Sequence, residues 1–173
     1  MKGKTRRVSP CGIFIPICAQ LGMAFRMQNL YTGIMFGEFK EGDMFESPAR
    51  TVTDAHISAY SGISGDFNPL HTDDEFCKST PQGKRIAHGG LTLAISTGLL
   101  NRYVDGTCIA FLELGVQYLQ MVYPGDTIHI RVCVKSTRLS SKGGKGVVVF
   151  GMQTINQDGD VVLEGDITML IKA

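Results

Sequence analysis

Asp66 and His71 are the first residues of this chain whose types and spacing could do chemistry. They stand five apart in Ser64-Gly65-Asp66-Phe67-Asn68-Pro69-Leu70-His71. Pro69 has no N–H and clashes with a preceding helical turn, so no continuous helix runs through the stretch. A Gly-Asp-x-Asn-Pro turn folds back instead and aims both side chains at one small volume. Asn68 locks such a turn through side-chain to backbone bonding. A carboxylate and an imidazole converging on one water suit acid–base chemistry, in which one group removes a proton while the other supplies one. Spacing alone makes neither of them the base. An isolated Asp and His at this spacing are more often a turn cap and a satisfied histidine, so the pair gains weight only from a second constellation.

That constellation is His88-Gly89-Gly90, immediately before an apolar run. A helix starting there brings free N–H groups and the positive end of its dipole together. Glycine lets a ligand carbonyl approach the backbone closely. The Gly89 N–H, with Gly90 beside it, is a ready oxyanion hole for an enolate-like or tetrahedral oxygen. Taken alone, two glycines are equally a tight loop.

The elements that must position these groups follow from periodicity. Thr53 or Asp54 caps a short helix through Ile57 and Tyr60, ending near Gly62. Residues 63–85 read as one long turn-rich loop, which in a compact domain is usually functional. Leu91 to Tyr103 is apolar around most of its circumference and predicts a buried helix. Thr127 to Lys135 alternates, with Ile128, Ile130, Val132 and Val134 on one face and His129, Arg131, Cys133 and Lys135 on the other. Residues 109–118, 146–155 and 161–171 are further strands, the last two joined by a turn at Asn156-Gln157-Asp158-Gly159. Period-2 strands with short connections imply an antiparallel sheet, and one buried helix among them implies an α+β sheet curled around that helix. Gly37 to Pro48 reads as a lead-in turn or edge strand.

Composition excludes several classes. The chain has 173 residues, 43% hydrophobic and 19% charged, enough for one full core. A formal net charge of +1 lacks the basic excess of a nucleic-acid binder. The five cysteines are odd in number and form no C-x-x-C, which disfavours zinc knuckles and disulfide frameworks and fits a reducing, cytoplasmic compartment. Residues 1–35 read as an N-terminal extension. Its basic start and apolar stretch from Cys11 to Phe25 have the outline of a targeting peptide, but are too short to span a bilayer and lack a small-x-small cleavage site. Residues 36–173 form the domain, with no membrane span.

The first motif, with Ile86-Ala87-His88-Gly89-Gly90-Leu91 and Tyr123-Pro124-Gly125-Asp126-Thr127-Ile128 following in order, resembles the MaoC-like, R-specific enoyl-CoA hydratase (hydratase 2) family from about Phe36 to Ala173. The resemblance implies a hot-dog fold, an antiparallel sheet wrapped around a long central helix, and a homodimer or higher homo-oligomer. It places the catalytic residues at Asp66 and His71 and the thioester oxygen on the Gly89 N–H. Asn68 would brace the loop, and a hydroxyl on the central helix at Thr97 would support Asp66. It implies reversible hydration of a trans-2-enoyl thioester, carried on CoA or an acyl-carrier protein, with no metal and no cofactor beyond the CoA of the substrate. Three positions depart from the family pattern. Cys77 stands where a small Ala or Ser is usual, Gly90 where a larger residue is common, and Thr97 where Ser is frequent.

Rival chemistries fit parts of this pattern. A hot-dog thioesterase would use the same oxyanion hole, and a non-catalytic acyl-thioester binder would have no use for Asp66, His71 and Gly89 together. A metal site from His71, Asp73, Asp74, Glu75 and His88 lacks zincin-like spacing, and its acidic run reads more simply as a solvated loop or helix start. Lys84, Arg85, Lys142 and Lys145 are candidate phosphate contacts or ordinary surface charge.

Overall fold

The computed structural model describes residues 33–173. The basic and apolar start of the chain, with Cys11 and Cys18, lies outside the described residues. Gly33 and Ile34 donate backbone hydrogen bonds to the Asp105 and Tyr103 carbonyls. A single 3-10 turn follows at Phe36–Glu38.

The strands are β1 Met44–Glu46, β2 Arg50–Thr51, β3 Cys108–Tyr118, β4 Thr127–Leu139, β5 Lys145–Ile155 and β6 Val161–Lys172. Every pairing is antiparallel, in the order β1-β4-β5-β6-β3, with β2 also beside β4. The alternation in β4 decides which face is inward. Ile128, Ile130, Val132 and Val134 are buried, while Arg131 and Lys135 are exposed. The β5–β6 turn closes on Asn156, whose Oδ1 accepts from the Asp158 and Asp160 amides, and Gly159 supplies the positive φ of 88°.

The helices are α1 Asp54–Ser64, α2 Pro69–Thr72, α3 Asp74–Lys78 and α4 Gly89–Asn101. Thr53 caps α1, accepting from the His56 amide, and Gly65 ends it in the left-handed region. The helix therefore runs two residues past the Gly62 end read from sequence. Residues 63–85 are not one open loop: α2 and α3 lie within them, started by Asn68 and Asp73 as N-caps.

Helix α4 lies in the curl of the sheet and buries Leu91, Ile95, Leu99 and Leu100 against it. Each such side chain contributes about 1.5–3 kcal/mol on leaving water. Ser96 and Thr154 of β5 join hydroxyls at 2.8 Å, so these buried polar groups are satisfied. The helix is not buried all round as its composition predicted. Ala94 and Gly98 are exposed, because in one chain the sheet covers only one side of the helix.

Candidate active site

The Asp66 turn is built locally. The Asp66 amide donates to the Ser64 hydroxyl, the Asn68 amide to Asp66 Oδ1, and the Leu70 amide to Asn68 Oδ1. Two successive Asx-type bonds leave Asp66 Oδ2 free to face His71, at 3.9 Å from Nε2. Asn68 is thereby the N-cap of α2.

His71 is held from the other motif. Its Nδ1 donates to the Ile86 carbonyl at 2.8 Å, and the Ile86 amide donates back to the Leu70 carbonyl at 3.0 Å. A carbonyl only accepts, so Nδ1 carries the hydrogen and Nε2 presents a lone pair toward Asp66. The separation suits a single bridging water molecule. The imidazole is sheltered, with 12% of its side chain exposed, whereas Asp66 is half-exposed.

Beside this clamp, the Ala87 amide donates to the Val122 carbonyl. The Tyr123-Pro124-Gly125-Asp126 motif thereby abuts the second motif. It is itself a turn, with Asp126 Oδ2 accepting from the Tyr123 amide and Gly125 at φ 96°. His88 is the N-cap residue of α4, which makes Gly89 its first helical residue, with no intrahelical acceptor for its N–H. Both glycines meet aromatic neighbours. A Cβ on Gly89 would stand 3.0 Å from the Tyr118 ring, and one on Gly90 would stand 2.0 Å from the Tyr60 hydroxyl.

No hydrogen bond joins Thr97 to Asp66 among the described residues. The Thr97 hydroxyl reaches the Leu93 and Ala94 carbonyls of its own helix at 3.0 and 3.1 Å, the back-bonding open to any helical threonine. Cys77 is buried, with its thiol against the Pro69 and Leu70 carbonyls. It supports α2 from beneath, and so a small residue is required there. Burial and the Asp73 and Asp74 carboxylates push that thiol up from its ordinary range.

The charged residues between Asp73 and Arg85 have partners. Asp73 caps α3, Glu75 pairs with Lys78, and Arg85 bridges Asp54 at 3.0 Å and Asp74 at 2.6 Å. The Asp74 hydrogen bond, foremost, holds the Arg85 guanidinium more firmly protonated. Lys84 lies 4.0 Å over the Tyr123 ring. Asp66, His71 and His88 each bring one potential ligand atom within 4.8 Å of the others. His71 Nδ1 and His88 Nε2 are already bonded to carbonyls, and the two rings stack at 3.7 Å.

Sequence reasoning names His88 only as the start of the glycine motif and as a rival metal ligand, and Tyr60 only as a helix residue; in the structure the His88 ring stacks on His71, and Tyr60 of α1 packs on His88. An open groove of about 930 Å³ on the outer sheet face, lined by Arg131, Lys135, Gly151 and Asp166 among others, contains none of these residues.

The family model described as MaoC like domain matches residues 38–155. The (R)-specific enoyl-CoA hydratase of Rhodospirillum rubrum is 29% identical over 138 residues, covering 80% of this chain and 92% of that one. A solved structure from Archaeoglobus, described as a monoamine oxidase regulatory protein, is 34% identical with a TM-score of 0.74, covering 81% of this chain and 95% of its own. A Mycobacterium tuberculosis protein described as having a double hot-dog fold is 23% identical with a TM-score of 0.74, covering 82% of this chain and 44% of that one. The antiparallel sheet wrapped around α4 is the hot-dog fold.

Proposed function

This chain belongs to the MaoC-like domain family, and we propose that it catalyses the reversible addition of water to a trans-2-enoyl thioester, forming the (R)-3-hydroxyacyl thioester. The observation that carries this reading is the facing pair of Asp66 Oδ2 and His71 Nε2 at 3.9 Å, beside a helix that begins at Gly89.

One water lies between the two acceptors and gives each a hydrogen bond. Its oxygen adds to C3 of the substrate while one of its protons passes to the pair. A proton passes from the pair to C2, so the pair ends as it began. Charge gathers meanwhile on the thioester oxygen, where the Gly89 N–H and the α4 dipole stabilise it. One preorganised donor of this kind is worth on the order of a hundredfold in rate or more. No electron changes hands, so the step needs no redox cofactor, and the Gly89 N–H with the α4 dipole takes the charge-stabilising part that a metal could otherwise play. The thioester is carried on CoA or an acyl-carrier protein. The odd, unpaired cysteine pattern supports a cytoplasmic setting for this chemistry; separately, among the described residues no helix is long and apolar enough to cross a membrane.

We further propose a homodimer. Strand β3 is a sheet edge, with Phe111, Leu112 and Leu114 exposed along it. An unpaired apolar edge invites a second copy.

The test is turnover of crotonyl-CoA. Hydration removes enoyl absorbance without releasing thiol and yields the (R) product, whereas thioesterase action releases thiol. Asp66→Asn and His71→Gln should each lower kcat about a hundredfold or more with an unchanged circular dichroism spectrum. Full turnover in either variant overturns the assignment.

A further inference from the structure

His88 is 2% exposed and touches both halves of the acid–base pair. Its Nε2 lies 3.0 Å from the Asp66 carbonyl, with the buried Ser61 hydroxyl 3.4 Å away. Its ring stacks on the His71 ring at a centroid distance of 3.7 Å and an interplanar angle of 30°. The Tyr60 ring packs against it at 5.0 Å. The Asp66 carbonyl only accepts, so Nε2 carries the hydrogen and Nδ1 is left with a lone pair. That Nδ1 is buried and has no partner. A buried polar atom without a partner is destabilising. An apolar ring at this position would avoid that cost, and an amide would supply a donor without the flat face. The His88 imidazole combines a donor aimed at one catalytic residue with a plane laid against the other.

We propose that His88 is a positioning residue that fixes Asp66 and His71 relative to each other, acting on Asp66 through its carbonyl and on His71 through its ring face. This rests on the hydratase reading above. The turn bonds of Ser64 and Asn68 set the shape of the Asp66 loop, and the Ile86 carbonyl sets the His71 tautomer. Neither joins the loop directly to the imidazole. His88 makes that connection from a backbone position next to Gly89, so the water clamp and the oxyanion donor share one anchor.

Two substitutions separate its contributions. His88→Phe keeps a ring over His71 and removes the donor to Asp66. His88→Gln keeps a donor and removes the ring. Each should lower kcat about tenfold or more while leaving KM for crotonyl-CoA within about twofold, because the substrate is still bound and only the reacting groups are misplaced. A folded variant of either kind with wild-type kcat, or one whose loss lies wholly in KM, overturns the proposal. The wild-type protein supplies an arm that needs neither folded variants nor activity. A long-range proton–nitrogen spectrum should show His88 protonated at Nε2 and His71 at Nδ1, and His88 protonated at Nδ1 overturns the proposal outright. A wild-type chain that hydrates no enoyl thioester would sink the functional reading, and the tautomer spectrum would still decide the placement of His88.

Discussion

Substituting Gly90 by alanine tests whether the catalytic stack is as tightly packed as its distances imply. The new Cβ would stand 2.0 Å from the Tyr60 hydroxyl and 2.9 Å from its Cζ, with Cε1 at 3.5 Å. An ordinary contact is about 3.5 Å. The hydroxyl must therefore retreat about 1.5 Å, and the ring carbon behind it about 0.6 Å. Overpacking of this sort costs about 1–3 kcal/mol, against up to about 1 kcal/mol gained by replacing glycine in a helix. With the full offset the net loss is up to about 2 kcal/mol, which lowers Tm by up to about 8 °C in a chain of this size. Tyr60 also rests against His88, and His88 on His71, so the displacement reaches the imidazole. Full misplacement by about 1 Å can cost a hundredfold; passed on through an intervening ring it should cost about tenfold in kcat. The rescue is Tyr60→Phe in the Gly90→Ala background. It removes the clashing oxygen and leaves only the smaller shift, so most of both losses should return. Thermal unfolding and crotonyl-CoA turnover read the four corners of the cycle. If Gly90→Ala matches wild type in both, or if Tyr60→Phe recovers neither, the packing account is wrong.

Cys77 should resist alkylation. Its raised thiol range leaves less thiolate at any mildly alkaline pH than an ordinary cysteine has, and burial blocks access. Iodoacetamide on the native protein, read by peptide mass spectrometry, should label half-buried Cys133 well before Cys77, with Cys77 catching up in denaturant. Labelling of native Cys77 at its denatured rate would contradict this. Leu114→Lys places a charge on the β3 edge and should shift the solution mass by light scattering from twice the chain mass to the chain mass at micromolar concentration. A wild-type chain that is monomeric, or a variant that stays dimeric, removes β3 as the interface.

What could be read before the structure was what is written locally. Pro69 and Asn68 sit beside Asp66, so the turn that frees one carboxylate oxygen is encoded within a few residues. The alternation at 128–134 names the inward face of β4 without reference to any other strand. The limits are equally physical. Helices of four and five residues, like α2 and α3, span too little chain for periodicity to register, though Asn68 and Asp73 are legible as caps once a helix is suspected. Thr97 was assigned to Asp66 by resemblance alone, and a helical threonine always has its own carbonyls as competing acceptors.

The His88 and Tyr60 contacts failed to register for a different reason. Twenty-seven residues separate Ser61 from His88, and the bond between them exists only because α1 packs beside the start of α4. Nothing local to His88 indicates which of its nitrogens will meet a carbonyl, or that its face will meet another imidazole. The one trace on the page was Gly90, read as a departure from a family in which larger residues are common. Its meaning is reciprocal: the space a side chain would fill is taken by the Tyr60 hydroxyl, contributed from α1. The two positions are therefore one choice. A larger residue at 90 then requires a smaller one at 60, and the stack that holds His71 must find its second wall elsewhere.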